Sequence, residues 1–188
     1  MSPSRHIDAQ YESELQELRR RLLAMAGRVE QAIDRTIKAC AGMDEAEARG
    51  VIEDDGAINR DEVEADELCL QILARRQPVA TDLRFVTQAL KMVTDLERIG
   101  DLATNACERI LDLRELGATL TSQEQQAMTK LGTMVRGMVR EAIDAFVRED
   151  VAMARAVIDR DDAVDELYHQ TFRTVVDQMR ESPASVAA

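Results

Sequence analysis

Tryptophan is missing from this sequence, and aromatic residues of any kind make up only 3% of it. Glycine and proline are scarce, at 8 and 3 of the 188 residues. Sandwiches and barrels draw on aromatics for their strands and on glycine and proline for their turns, so those architectures are disfavoured. No apolar run approaches the ~20 residues that a membrane helix needs. Met1-Ser2-Pro3-Ser4-Arg5 leads into polar sequence, not into the apolar core of a signal peptide. His6 and His169 are isolated. Cys40, Cys69 and Cys107 are widely spaced with no CxxC, which fits buried free thiols in a reducing compartment. The expected location is therefore the cytoplasm. No catalytic triad, P-loop or dinucleotide fingerprint is present. Nor is there any basic excess. A net charge of −12 argues against a nucleic-acid or anionic-membrane surface. It suits cations, or a partner carrying basic patches.

What is abundant is Ala, Leu, Met, Glu, Gln and Arg, the composition of long helices. The expected fold is all-α. Five helices can be read. The first runs from about Ile7 to Ala41, and Gly42 ends it. Asp44 caps the second, which reaches about Arg76. Pro78 opens the third, which ends near Gly117. Thr121 or Ser122 caps the fourth, with Glu124 or Gln125 as box partner. The fifth follows Asp150. The Met residues of the fourth helix read as core filler.

The third helix holds the most informative stretch, Asp95-Leu96-Glu97-Arg98-Ile99-Gly100-Asp101 and on to Asn105. Apolar residues recur at Phe85, Ala89, Met92, Leu96, Ile99, Ala103, Ala106, Ile110 and Leu113, a heptad seam predicted to face the core. Glu97 and Asp101 then fall opposite it, in a row with Thr94, Asn105, Glu108 and Asp112 that no Lys or Arg interrupts. Like charges at i,i+4 cost about 0.2–0.5 kcal/mol per pair, so a helix with only a structural role gains nothing from the row. Gly100 costs a helix interior about 0.5–1 kcal/mol against Ala; either it lets another helix or a bound ion approach closely, or it is neutral.

A shift of 106 residues aligns Asp44 with Asp150, Ala48 with Ala154, Arg49 with Arg155, Val51 with Val157, Ile52 with Ile158 and Asp55 with Asp161. Ala39 likewise matches Ala145. Such repeats imply duplicated units. Residues 1–117 form a first bundle of three helices, and 121–188 begin a second. Ser182-Pro183 stands where Gln77-Pro78 opens the third helix, and little chain follows, so the second bundle lacks its last helix. Either a truncated sequence or coverage by another chain fits this. An apolar groove between helices four and five, and hence dimerisation, is expected.

Acidic spacing recurs with the repeat. Asp161 and Asp165 lie on the fifth helix. Asp55 and Asn59 stand in the same places on the second, followed by Asp66 and Glu67. Neighbouring helices can bring such groups to one groove. Oxygen-only sets suit Mg²⁺, Mn²⁺ or iron, and zinc is disfavoured because no His or Cys joins them. Acidic pairs are also common on solvated helix faces, and His169 reads as an ordinary surface or packed histidine.

The stretch from Asp95 to Asp101 with Asn105 resembles the signature of the PhoU family, accessory regulators of phosphate uptake. Arg76-Gln77-Pro78-Val79-Ala80-Thr81-Asp82-Leu83-Arg84 is similar to that family's loop into its third helix. Asp161-Asp162-Ala163-Val164-Asp165-Glu166-Leu167-Tyr168 is similar to its second-repeat motif. The resemblance implies two tandem three-helix bundles whose E/DxxxD motifs bind multinuclear metal clusters. It makes Glu97, Asp101, Asp55, Asp161 and Asp165 metal ligands for iron, manganese or magnesium. Asn59 departs from the family's second Asp and removes one charge from the first site. The absent second ExxxD helix takes half the ligands from the second. The resemblance further implies a regulator that is not an enzyme. Such a protein couples the phosphate ABC transporter ATPase to a sensor histidine kinase and restrains uptake and the starvation response, as a homodimer without membrane insertion. The competing reading is a metal-dependent phosphohydrolase using the clustered carboxylates.

Overall fold

The computed structural model describes residues 3–181. Five α-helices account for nearly all of them: α1 Pro3–Gly42, α2 Glu45–Arg76, α3 Ala80–Glu115, α4 Ser122–Val147 and α5 Val151–Glu181. No strand occurs among the described residues. The all-α reading therefore stands. The expectation attached to Ser182-Pro183 lies outside the described residues.

Helix ends follow the capping chemistry written in the sequence. Asp44 Oδ1 accepts from the backbone N–H of Ala46 and Glu47. Thr121 and Glu124 form a reciprocal capping box at the start of α4. Asp150 Oδ1 accepts from Met153 N–H. The two turns related by the repeat have the same form. Asp44 N–H donates to Ala39 O at 2.9 Å with Met43 at φ 48°. Asp150 N–H donates to Ala145 O at 2.8 Å with Glu149 at φ 55°. Each is a Schellman-type closure that leaves one residue left-handed.

The chain divides into two compact units. The first comprises Met1–Val29 with Asp55–Asp101, and the second Glu30–Asp54 with Leu102–Ala188. In the first, Leu15, Leu18, Leu22 and Met25 of α1 are buried, as are Ile58, Cys69 and Ile72 of α2 and Val86, Ala89, Val93 and Leu96 of α3. Their helices are tied at the rim. Arg76 donates twice to Glu14, at 2.6 and 2.8 Å. This hydrogen-bonded pairing holds the Glu14 carboxyl below its usual range. Tyr11 donates to Asp82 at 2.8 Å.

The second unit has a core of Ala39, Met43, Ala48, Val51, Cys107 and Ile110. Arg35 joins Glu47 at 2.8 Å and Asp54 at 2.5 Å. Here α4 and α5 lie against each other, with Arg160 paired to Glu141.

The structure changes one expectation, the buried face of α3. The buried stripe of α3 is Val86, Ala89, Val93, Leu96, Gly100, Ala103, Cys107 and Ile110. It shares Ala89, Leu96, Ala103 and Ile110 with the predicted seam. It replaces Phe85, Met92, Ile99 and Ala106 with their successors, and Ala106 is exposed. The groove between α4 and α5 is a cavity of 180 Å³ in which Ala127, Leu167 and Val175 stand beside Gln123, Glu124, Gln170, Thr171 and Thr174. Exposed apolar side chains also lie along α5, at Val151, Ile158, Tyr168 and Phe172. These positions share one flank with Asp161 and Asp165 by helical spacing.

Candidate acidic site on the first unit

Gly100 is buried in the first unit and faces Ile58 of α2. A Cβ placed there would stand 3.0 Å from Ile58 Cδ1 and 3.3 Å from Cγ2. The missing side chain therefore lets α2 and α3 approach closely. Glu97 stands one turn before Gly100, and Asp101 directly after it. Asp55 and Glu62 stand one turn before and after Ile58. The close crossing thus brings acidic residues of both helices to one place.

The electrostatics carry that signature. Glu97 is half-buried, and its carboxyl is held above the usual range. Burial is the largest cause, followed by the charges of Asp101 and Glu62, then by a hydrogen bond with Asp101 and the charge of Asp55. Asn59 Nδ2 donates to Asp55 Oδ2 at 3.1 Å, so the family's missing carboxylate is replaced by a donor turned onto its neighbour.

Of the expected ligands, Glu97 and Asp101 are hydrogen-bonded, and Asp55 lies near enough for its charge to act on Glu97. Asp161 and Asp165 belong to the second unit, where both are exposed on α5. Glu62, outside the expected ligands, also acts on Glu97 through its charge. Its signal was a spacing of seven from Asp55, two helical turns on one flank, rather than the i,i+4 pairing that drew attention to Asn59. Glu67, next to Asp66 on α2, is exposed. His169 is exposed and sits edge-on to Tyr168, with ring centroids 5.5 Å apart.

The donors suit a hard cation in kind: all are carboxylate or amide oxygens, and their crowding favours added positive charge. Among the described residues, no three Asp, Glu, His or Cys side chains are drawn together as a ready-made metal cage. The thiols take no part. Cys69 and Cys107 are buried and Cys40 is half-buried, and burial pushes the Cys69 thiol up to about 12. No helix among the described residues is long and apolar enough to cross a membrane.

The family model described as the PhoU domain matches residues 22–110 and 128–188. The phosphate-specific transport system accessory protein PhoU homolog of Pseudomonas putida is 41% identical over 99% of this chain and 72% of its own length. The PhoU accessory protein of Escherichia coli strain K12 is 34% identical over 97% of this chain and 75% of its own length. The crystal structure of PhoU from Pseudomonas aeruginosa superposes with a TM-score of 0.89 at 39% identity, covering 94% of this chain and 84% of that one. The PhoU regulatory protein of the Streptococcus pneumoniae phosphate transport system gives 0.81 at 26% identity, over 92% of this chain and 80% of that one. By sequence and by structure, this chain belongs to the PhoU family.

Proposed function

We propose that this chain is a regulatory accessory protein of phosphate transport and not a catalyst. The observation that carries the reading is the 41% identity, over nearly the whole chain, to a protein named as a phosphate-transport accessory protein. In this reading the protein engages the ATPase of the phosphate ABC transporter and the sensor histidine kinase of the starvation response. It restrains both when phosphate is plentiful, as a homodimer in the cytoplasm.

Glu97, Asp101 and Asp55 would hold iron, manganese or magnesium ions in the first unit, with Glu62 beside them. Asp161 and Asp165 would offer a second, weaker set. A bound cation supplies positive charge where the bare protein is anionic, and so a surface to which phosphate groups or acidic partner side chains are attracted. The chain's own share is to hold crowded carboxylates ready and to accept the repulsion while they are empty.

Expression in a bacterium deleted for its own PhoU tests the function. This chain is expected to return a starvation-response reporter to its repressed level in high phosphate and to capture the transporter ATPase in pull-down. A reporter that stays derepressed, with no ATPase captured at any phosphate level, would rule the reading out. Phosphatase turnover lost on Glu97→Gln would move the assignment to the phosphohydrolase.

A further inference from the structure

The groove between α2 and α3 of the first unit continues beyond the acidic cluster and changes character along its length. Toward the far end of α2 it holds a cavity of about 590 Å³ lined by Asp66, Leu70, Leu90, Lys91, Thr94 and Asp95. Leu70 is 53% exposed. Val63 stands two turns before Leu70, and Leu83 two turns before Leu90, so each helix sets a second apolar residue in line with the first. Val63 and Leu83 are also exposed. Large apolar side chains left open in a row across two helices mark a contact surface rather than scattered exposure. Acidic groups border it: Asp66 and Asp95 line the cavity, and Glu62, Glu97 and Asp101 follow along the same groove. Lys91 is the single base in the lining.

We propose that this groove docks a basic amphipathic helix of a partner protein. The partner's apolar residues seat on Leu70 and Leu90, and its Lys or Arg residues lie over Asp66, Asp95 and the acidic run toward Glu97. The occupant follows from complementarity. An apolar trough bordered by acids selects a helix with one apolar stripe and basic flanks, and repels an acidic one. The chain's net charge of −12 adds long-range attraction for such a segment. The inference deepens the accessory-protein reading by naming the chemistry of its partner, and rests on that reading only in supposing a protein partner.

A synthetic probe keeps the two apart. The probe is a fluorescent peptide of Leu and Lys, about 18 residues or five turns long, with its Leu residues on one helical face. A matched Leu and Glu peptide is the control, and titrations are run in EDTA so that metal plays no part. The Leu/Lys peptide is expected to bind, and Leu70→Glu to weaken it about tenfold or more, or 1.4 kcal/mol. Leu70→Met is expected to leave binding intact. Circular dichroism checks that each variant is folded, and Leu70 is exposed enough to be replaced. Leu70→Glu adds negative charge, so attraction to a merely acidic surface would rise. An unchanged or tighter Kd in that variant therefore overturns the proposal, as does equal binding of the Leu/Glu peptide. A wild-type dimer that Leu70→Glu dissociates, with no peptide bound by either form, would give the groove to a second copy of this chain. A negative result here leaves the reporter and ATPase experiments of the accessory reading untouched.

Discussion

Gly100 of α3 lies so close to Ile58 of α2 that an added methyl would sit 3.0 Å from Ile58 Cδ1. The pair sets the spacing of the acidic groove. A bulkier residue there acts on stability and on the carboxylates at once.

Gly100→Ala tests this contact. Helix propensity favours Ala by about 0.5–1 kcal/mol, while overpacking costs about 1–3 kcal/mol. A net loss of about 1 kcal/mol is expected by urea denaturation. Ile58→Val removes the Cδ1 methyl that the new Cβ meets. The double variant is expected to be more stable than the sum of the singles by about 0.5 kcal/mol or more. Simple additivity would show that the contact is slack.

Metal binding has a distinct signature at Glu97. Its carboxyl titrates above the usual range when folded. The folded state therefore holds that proton after the unfolded chain has released it. Stability from this group is present at low pH and is lost as pH rises above about 4.5 toward the folded value. In EDTA at neutral pH, Glu97→Gln is expected to melt at or above the wild-type temperature. With Mn²⁺ at a hundredfold excess over Kd, wild type gains about 2.7 kcal/mol. At about 2–4 °C per kcal/mol, that raises Tm by roughly 5–10 °C. Glu97→Gln combined with Asp101→Asn is expected to abolish the rise. A wild-type melting curve indifferent to Mn²⁺, Mg²⁺ and iron removes the metal site.

Tyr11 sets an alkaline limit. Burial is the main cause that pushes its phenol up to about 12, and the hydrogen bond to Asp82 and that carboxylate's charge add to it. The unfolded phenol ionises near 10. The stability that the native pairing contributes is complete below pH 10 and is lost as pH rises from about 10 to 12. Tyrosinate absorbance is expected to show one late-titrating tyrosine, absent in Tyr11→Phe, and that variant's stability is expected to fall less over the same interval.

The repeated caps make a matched pair. Asp44→Ala and Asp150→Ala each remove a carboxylate that accepts first-turn N–H groups. A loss of about 1 kcal/mol from each is expected in thermal or urea unfolding. A cap that is lost without any cost would mean that the alignment of the two turns has no energetic content.

Caps and helix limits were readable because they depend on neighbours within four residues: Asp44 caps where the sequence placed it, Thr121 with Glu124 is one of the pairings the sequence offered, and α5 follows Asp150. The family was readable because the Asp95–Asp101 stretch is long and specific. The face of α3 was harder. Phe85, Met92, Ile99 and Ala106 satisfy a heptad as well as Val86, Val93, Gly100 and Cys107 do, and Gly100 offers no apolar side chain to reveal its side. Ile58, on another helix, settles the register, and periodicity within α3 carries no information about it. Glu62 escaped for the same reason. Its part in the site depends on a crossing between helices, not on a local pair.

The left-handed residues at Met43 and Glu149 show how duplicated turns come under different constraints. Both pay the steric penalty of a side chain at positive φ, about 1–2 kcal/mol. Met43 recovers it by burial, at 6% exposure, within the core of the second unit. Glu149 is exposed and recovers nothing there. Identical backbones therefore differ in their freedom to drift. The later copy can accept glycine or asparagine with a gain, whereas the earlier copy is tied to a large apolar residue that glycine cannot replace. Descendants of this turn would be expected to vary at one position and hold at the other.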